Sequence, residues 1–149
     1  MSLLEPPAEP PKKHYVLKIT IAAVVLVMLL ALWFTFRYYP EKKAAGQFFA
    51  ALTAGDTAKA YALWKPSATY SMNDFLADWG PTGYYGPVRS YRIMDAKAVR
   101  QSASIEVNVA ISPFSPMPVA GDAEKSIKTK VATIWVTPAD KSLSFPVPY

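Results

Sequence analysis

Apolar residues are spaced in three different ways along this chain, and the changes of spacing near Pro40 and Pro87 predict the architecture. Residues 19–36, from Ile19 to Phe36 (ITIAAVVLVMLLALWFTF), carry no charge and show no polar stripe on any helical face. Thr20 and Thr35, near the two ends, are the only hydroxyls in the run. A buried helix of a globular domain is rarely apolar all the way round, whereas about 18 to 20 such residues cross the hydrocarbon layer of a bilayer. Tyr15, Val16 and Leu17 extend the run across Lys18, whose stem can snorkel toward the head groups. Trp33, Phe34, Tyr38 and Tyr39 form an aromatic girdle at one end and Tyr15 marks the other. These features predict a membrane-spanning helix over residues 15–39, in contact with the bilayer through Ile19 to Phe36. The run exceeds a signal-peptide core, and the small-residue pattern Ala44-Ala45-Gly46 comes too late for cleavage, so the helix is read as retained.

Pro40 is expected to break that helix, and a period of 3.6 follows. Within residues 41–54, Ala45, Phe48, Phe49 and Leu52 paint one helical face, and Gly55 supplies the stop. Asp56 or Thr57 can cap a second helix through Trp64, with Ala60, Tyr61 and Trp64 inward, ended by Lys65-Pro66. Ser71 and Asp74 form a capping box for a third helix, whose Met72, Phe75, Leu76 and Trp79 repeat the spacing until Gly80-Pro81. A glycine- and proline-rich connection over residues 80–87 carries Tyr84 and Tyr85.

The period then becomes two. Residues 88–99 place Tyr91 and Ile93 on one face, and residues 102–112 alternate Ala103, Ile105, Val107, Val109 and Ile111 against Ser104, Glu106 and Asn108. After a proline-rich arm over residues 113–121, a basic β-branched strand is expected at 126–137 and a last one at 142–147, held to an edge by Pro146 and Pro148. Helices first and an antiparallel meander after imply an α+β fold: three short helices packed on a curved sheet of about four strands, filling residues 41–149.

Composition narrows the chemistry. With 149 residues there is room for one core and a tether, and the absence of cysteine excludes disulfides, thiolate metal sites and a cysteine nucleophile. The net charge of +5 is spread, with Lys12, Lys13, Lys18, Arg37, Lys42 and Lys43 bracketing the apolar run as head-group anchors, which argues against nucleic acid as a partner. Residues 1–14, rich in proline, read as a disordered tail. Basic residues are balanced across the span; a short basic tail before an uncleaved apolar run acts as a signal-anchor, which places the tail inside and the domain outside the cell's inner (plasma) membrane.

The lone histidine, His14, precedes the span, so the domain holds no histidine base, ligand or triad, and no metal or cofactor is expected. Asp74 and Asp78 lie four apart, yet Phe75, Leu76 and Trp79 claim the inner face, which turns both carboxylates toward water.

The string Phe48-Phe49-Ala-Ala-Leu52, Gly55-Asp56, Ala60-Tyr61-Ala-Leu-Trp64, followed by a third helix and long strands, resembles the NTF2-like superfamily, a cystatin-like α+β cone, over about residues 42–147. Its enzymes, ketosteroid isomerases and scytalone dehydratases, use an acid or histidine base with tyrosine donors, and no such motif carries over residue by residue. The resemblance implies a concave pocket, and allows a homodimer through the open sheet face. Tyr61, Trp64, Tyr70, Trp79, Tyr84, Tyr85, Tyr91 and Trp135 either line such a pocket or form ordinary core; Tyr84 and Tyr85 are the best candidates for a ligand or partner contact. The function expected is a non-enzymatic binding or assembly module at the bilayer surface, with a protein partner in the membrane or envelope. The alternatives are an isomerase or dehydratase of the ketosteroid-isomerase type, and a cell-envelope polysaccharide contact through Lys125, Lys128 and Lys130.

Overall fold

The structure is a computed structural model and describes residues 12–100, 102–115 and 129–146. Helix α1 spans Lys12–Phe36, 25 residues, about 37 Å at 1.5 Å per residue. Every side chain from His14 to Phe36 is exposed, and the helix is long and apolar enough to cross a membrane. Its two hydroxyls are matched internally: Thr20 and Thr35 donate to the carbonyls of Val16 and Ala31 at 2.9 and 2.8 Å, which removes the cost of a bare hydroxyl in an apolar medium. Residues 12–14, assigned by pattern to the extended tail, are helical; residues 1–11 lie outside the described part.

The chain divides at Arg37 and Tyr38 into two compact units. In the second, helix α2 spans Tyr39–Thr53. Pro40 is therefore not the residue that ends the first helix. It sits in the first turn of the next one, where its missing N–H would have no intrahelical partner in any case. Ala45, Phe48, Phe49 and Leu52 are buried as the spacing predicts, joined by Ala51 and Glu41. Gly55, at φ 75°, closes α2 with its N–H on Leu52 O at 3.0 Å and the Asp56 N–H on Ala51 O at 3.0 Å, a Schellman closure that needs a residue free to adopt positive φ.

Helix α3 spans Thr57–Trp64 under an Asp56 cap, and α4 spans Met72–Trp79 under the Ser71–Asp74 capping box. The inner face of α4 is narrower than its spacing suggests: Phe75 and Trp79 are buried, whereas Leu76 is exposed and Met72 half-buried. One residue past Phe75 turns about 100° around the axis, and in a two-turn helix that is enough to leave the core.

Strands β1 (Ser90–Ala98), β2 (Ile105–Ser112), β3 (Lys130–Val136) and β4 (Leu143–Ser144) form one antiparallel sheet in the order β1-β2-β3-β4. The fold of the second unit is α+β, three helices with a four-stranded antiparallel sheet, and it follows the long apolar helix in the chain. Strands are shorter than the pattern predicts; Ala103 is exposed ahead of β2, and β4 keeps two residues because Pro146 follows closely. Most of the 113–121 arm and the start of the 126–137 strand, with Lys125 and Lys128, lie outside the described residues.

Alternation in β2 is regular, with Ile105, Val107, Val109 and Ile111 buried. In β1 a bulge at Met94 shifts the register, so Ile93 pairs with Val109 but Asp95 pairs with Asn108. Residues directly opposite share a face, so the extra residue puts Ala96, half-buried, and Ala98, exposed at the strand end, on the side of Val107 and Ile105 and sends Asp95 and Lys97 to the other side. Lys97 there meets Glu106 at 3.0 Å. The core between helices and sheet is filled by Phe48, Phe49, Phe75, Val107, Val109, Ile134 and Val136, all fully buried.

Candidate functional site

The loop between α4 and β1 is folded onto the end of α4 by its own backbone. Tyr84 and Tyr85 N–H groups donate to Ala77 O and Asp78 O at 2.9 and 2.8 Å, satisfying carbonyls the helix leaves over. Gly83 N–H reaches Gly80 O at 2.9 Å and Gly86 N–H reaches Gly83 O at 3.2 Å. Gly86 lies so close to the Gly80 carbonyl that no Cβ fits there. The result is a compact loop with two adjacent tyrosines in fixed and different positions.

Tyr85 points inward. Its ring stacks on Trp79 at 4.6 Å and 20°, and lies 5.8 Å from Phe145. Burial first, then the neighbouring Tyr84 and Asp78, pushes its hydroxyl above the ordinary pKa of 10.0. Tyr84 points outward and is 69% exposed. Lys130, at the start of β3, holds it: the ammonium donates to Tyr84 O at 2.8 Å and lies 4.9 Å from the ring centroid, a cation–π geometry. Beside this pair lies a cavity of about 480 Å³ between the loop and the ends of β2 and β3, lined by Tyr85, Pro87, Ile111, Ser112, Thr129 and Lys130. Loop, β2 and β3 thus bring together the exposed Tyr84 ring, the Lys130 cation, the aliphatic hydroxyls of Ser112 and Thr129 and an apolar floor of Pro87 and Ile111.

The remaining aromatics divide into groups. Trp64 and Trp79 are 3% and 2% exposed and pack with Phe48 and Phe75; they belong to the core rather than to an open mouth. Tyr61 donates its hydroxyl to Tyr70 O at 2.9 Å and rests edge-on against Phe75. Tyr91 stacks on Phe49 and donates to Gly46 O at 3.1 Å. Trp135 is separated from all of them, because it pairs with Glu106 and Ser144 while its neighbours Ile134 and Val136 face the core.

Phe145 is the aromatic that pattern reading passes over. It touches Trp64, Trp79 and Tyr85 and links the loop to the core. Its signal was present in the period-two spacing from Leu143.

Three carboxylates of the helical layer are engaged. Asp74 accepts from the Ser71 hydroxyl and N–H at 2.7 and 2.9 Å, and these bonds, the hydroxyl first, hold its pKa below 3.8. Asp78 is half-buried rather than turned to water, because Tyr70 donates to it at 2.7 Å; burial and then this bond push the Tyr70 hydroxyl far above its usual range. Glu41, which pattern reading does not single out, is 5% exposed and meets Lys141 at 2.7 Å. Among the described residues no three His, Asp or Glu side chains cluster as metal ligands would.

Comparison with protein-family models, with curated proteins and with solved structures finds no match to this chain. Its site is accordingly read from its own geometry.

Proposed function

We propose that this protein is a membrane-tethered, non-enzymatic binding module of NTF2-like shape. In this reading α1 sits in the inner membrane, the domain stands on the extracytoplasmic side, and Tyr84 with Lys130 receives a protein partner of the membrane or envelope. One observation carries it: Tyr84 is 69% exposed while its backbone and ring are both held. Leaving a ring in water costs solvation, and a ring already fixed loses little freedom on contact, which is the profile of an interface anchor. The engagement of Asp78 by Tyr70 and of Glu41 by Lys141 supports the non-enzymatic reading over an isomerase, since neither carboxylate is free to take a substrate proton.

The test is a photo-crosslinker at the exposed Thr82, in full-length protein in native membranes. A discrete adduct is expected, and Tyr84→Ala should weaken its formation by roughly 30-fold, as removal of a 2 kcal/mol anchor does. Adducts that survive both Tyr84→Ala and Lys130→Ala unchanged would show the partner surface to lie elsewhere. Tyr85→Ala is the less specific variant, because that ring packs on Trp79.

A further inference from the structure

Helix α2 buries one face, and its other face forms the floor of an open, mainly apolar groove of about 520 Å³ among Tyr39, Lys42, Lys43, Gly46, Ala50 and Ile93. Gly46 and Ala50, one turn apart, make the floor shallow-walled and smooth; Ile93 of β1 closes one side. A Cβ on Gly46 would meet only Ile93 Cδ1, at an ordinary 3.6 Å. Neither backbone conformation nor crowding therefore requires glycine there, in a helix interior it disfavours; its effect is to deepen the groove.

The rim is cationic alone. Among the described residues neither Lys42 nor Lys43 has an acidic partner, because the adjacent Glu41 is turned inward to Lys141. Tyr39 at the open end is 56% exposed. Chain reach fixes where this rim can be. Helix α1 ends at Phe36 and α2 begins at Tyr39, a link of at most about 11 Å, and Lys43 is about 6 Å further along the helix. A link this short lets both ammonium groups reach a head-group layer at the end of α1.

We propose that this groove binds an anionic phospholipid of the bilayer that α1 occupies. Lys42 and Lys43 hold the phosphate, and Tyr39, Gly46, Ala50 and Ile93 receive the glycerol and first acyl carbons. The inference rests on the membrane placement of α1 and is independent of the partner surface at Tyr84.

The chain has no cysteine, so Gln47→Cys, on the groove rim, takes a single environment-sensitive fluorophore. The full-length chain is placed in nanodiscs of phosphatidylcholine alone or with phosphatidylglycerol, each containing a spin-labelled lipid as quencher. Quenching at position 47 should rise with the phosphatidylglycerol fraction, and a label at Ala139→Cys should not follow it. Lys42→Gln with Lys43→Gln should raise the fraction for half-maximal quenching by roughly fivefold or more. Inorganic phosphate in solution should not reproduce the effect. Quenching that ignores phosphatidylglycerol, or survives loss of both lysines, overturns the proposal. So does protection of the label from both lipid and aqueous quenchers, which would mean that a protein segment or a second copy covers the groove. Failure to enter the discs at all would instead sink the membrane placement of α1.

Discussion

Helices α1 and α2 are neighbours in sequence and both are rich in apolar residues, yet they solve opposite problems. In α1 every side chain from His14 to Phe36 is exposed and no face is preferred. In α2, Phe48 and Phe49 are fully buried while Lys43 and Gln47 are exposed. What separates them is the angular distribution of apolar groups, since a helix with one apolar stripe needs a protein core and a helix apolar all round needs an apolar solvent. The hydroxyls do not separate them: Thr20 and Thr35 of α1 donate to Val16 O and Ala31 O, and Thr53 of α2 donates to Ala50 O.

The contrast breaks most visibly if charge is placed on α1. Val25→Arg with Leu29→Arg, two positions on one helical face, should raise the cost of insertion by about 5–7 kcal/mol. The full-length protein should then move from the carbonate-resistant membrane fraction to the soluble one with its domain still folded. A pellet that keeps the doubly charged protein would show that α1 is not read by lipid.

Phe48→Ala should have the reverse signature, leaving membrane association intact and destabilising the domain. The ring of Phe48 meets those of Phe49, Trp64, Phe75 and Trp79 at centroid distances of 5.1 to 6.2 Å. Removing it should cost about 3–5 kcal/mol, read from urea unfolding of the full chain in detergent. A loss below about 1 kcal/mol would mean that the site collapses freely and that these rings are not a packed core.

How legible each unit was from sequence follows the range of the interactions involved. Asp56 and Ser71–Asp74 cap their helices as read, because a cap is settled within four residues. The buried set from Ile105 to Ile111 was equally plain, since one face of a sheet repeats every second residue. The bulge at Met94 was not, because it answers to the register of β2 rather than to any feature of its own strand. Tyr84 and Tyr85 stood out by lying in a glycine-rich loop, but which of them points outward depends on Trp79 and Phe145 behind one and Lys130 beside the other. Trp135 shares only its residue type with the other rings, and its strand position between Ile134 and Val136 puts it on the opposite face of β3.

Glu41 and Lys141, paired across 100 residues, are the clearest case of a contact without a local signal. Lys141 adopts φ 60° and also donates to Pro138 O at 2.7 Å, so the β3–β4 turn is shaped around its ammonium. Lys141→Met would leave the 5% exposed Glu41 carboxylate without its partner, at a cost of about 1–3 kcal/mol. The double variant with Glu41→Gln should recover part of that loss, because the buried charge itself is gone. Thermal unfolding of the two variants decides it. Equal destabilisation of single and double variants would mean that the lysine acts through the turn and not through the carboxylate.

The smallest expected effect concerns a helix end. Ser71→Ala removes a hydroxyl that accepts from Asp74 N–H at 3.2 Å and donates to the Asp74 carboxylate at 2.7 Å, which should cost about 1 kcal/mol near neutral pH. Because those bonds, the Ser71 hydroxyl first, hold Asp74 below its ordinary 3.8, the stability they add is present above that pH and is lost as pH falls through the lowered value. The melting temperatures of the parent protein and Ser71→Ala should therefore differ at pH 7 and draw together below pH 3.8. Asp140, lowered by the Ser142 N–H and hydroxyl, titrates in the same acid range and is untouched by the substitution. The variant must then keep some acid sensitivity, and a gap that stays constant across that range would assign the loss to the bond from the Asp74 N–H to the Ser71 hydroxyl instead of to the capping carboxylate.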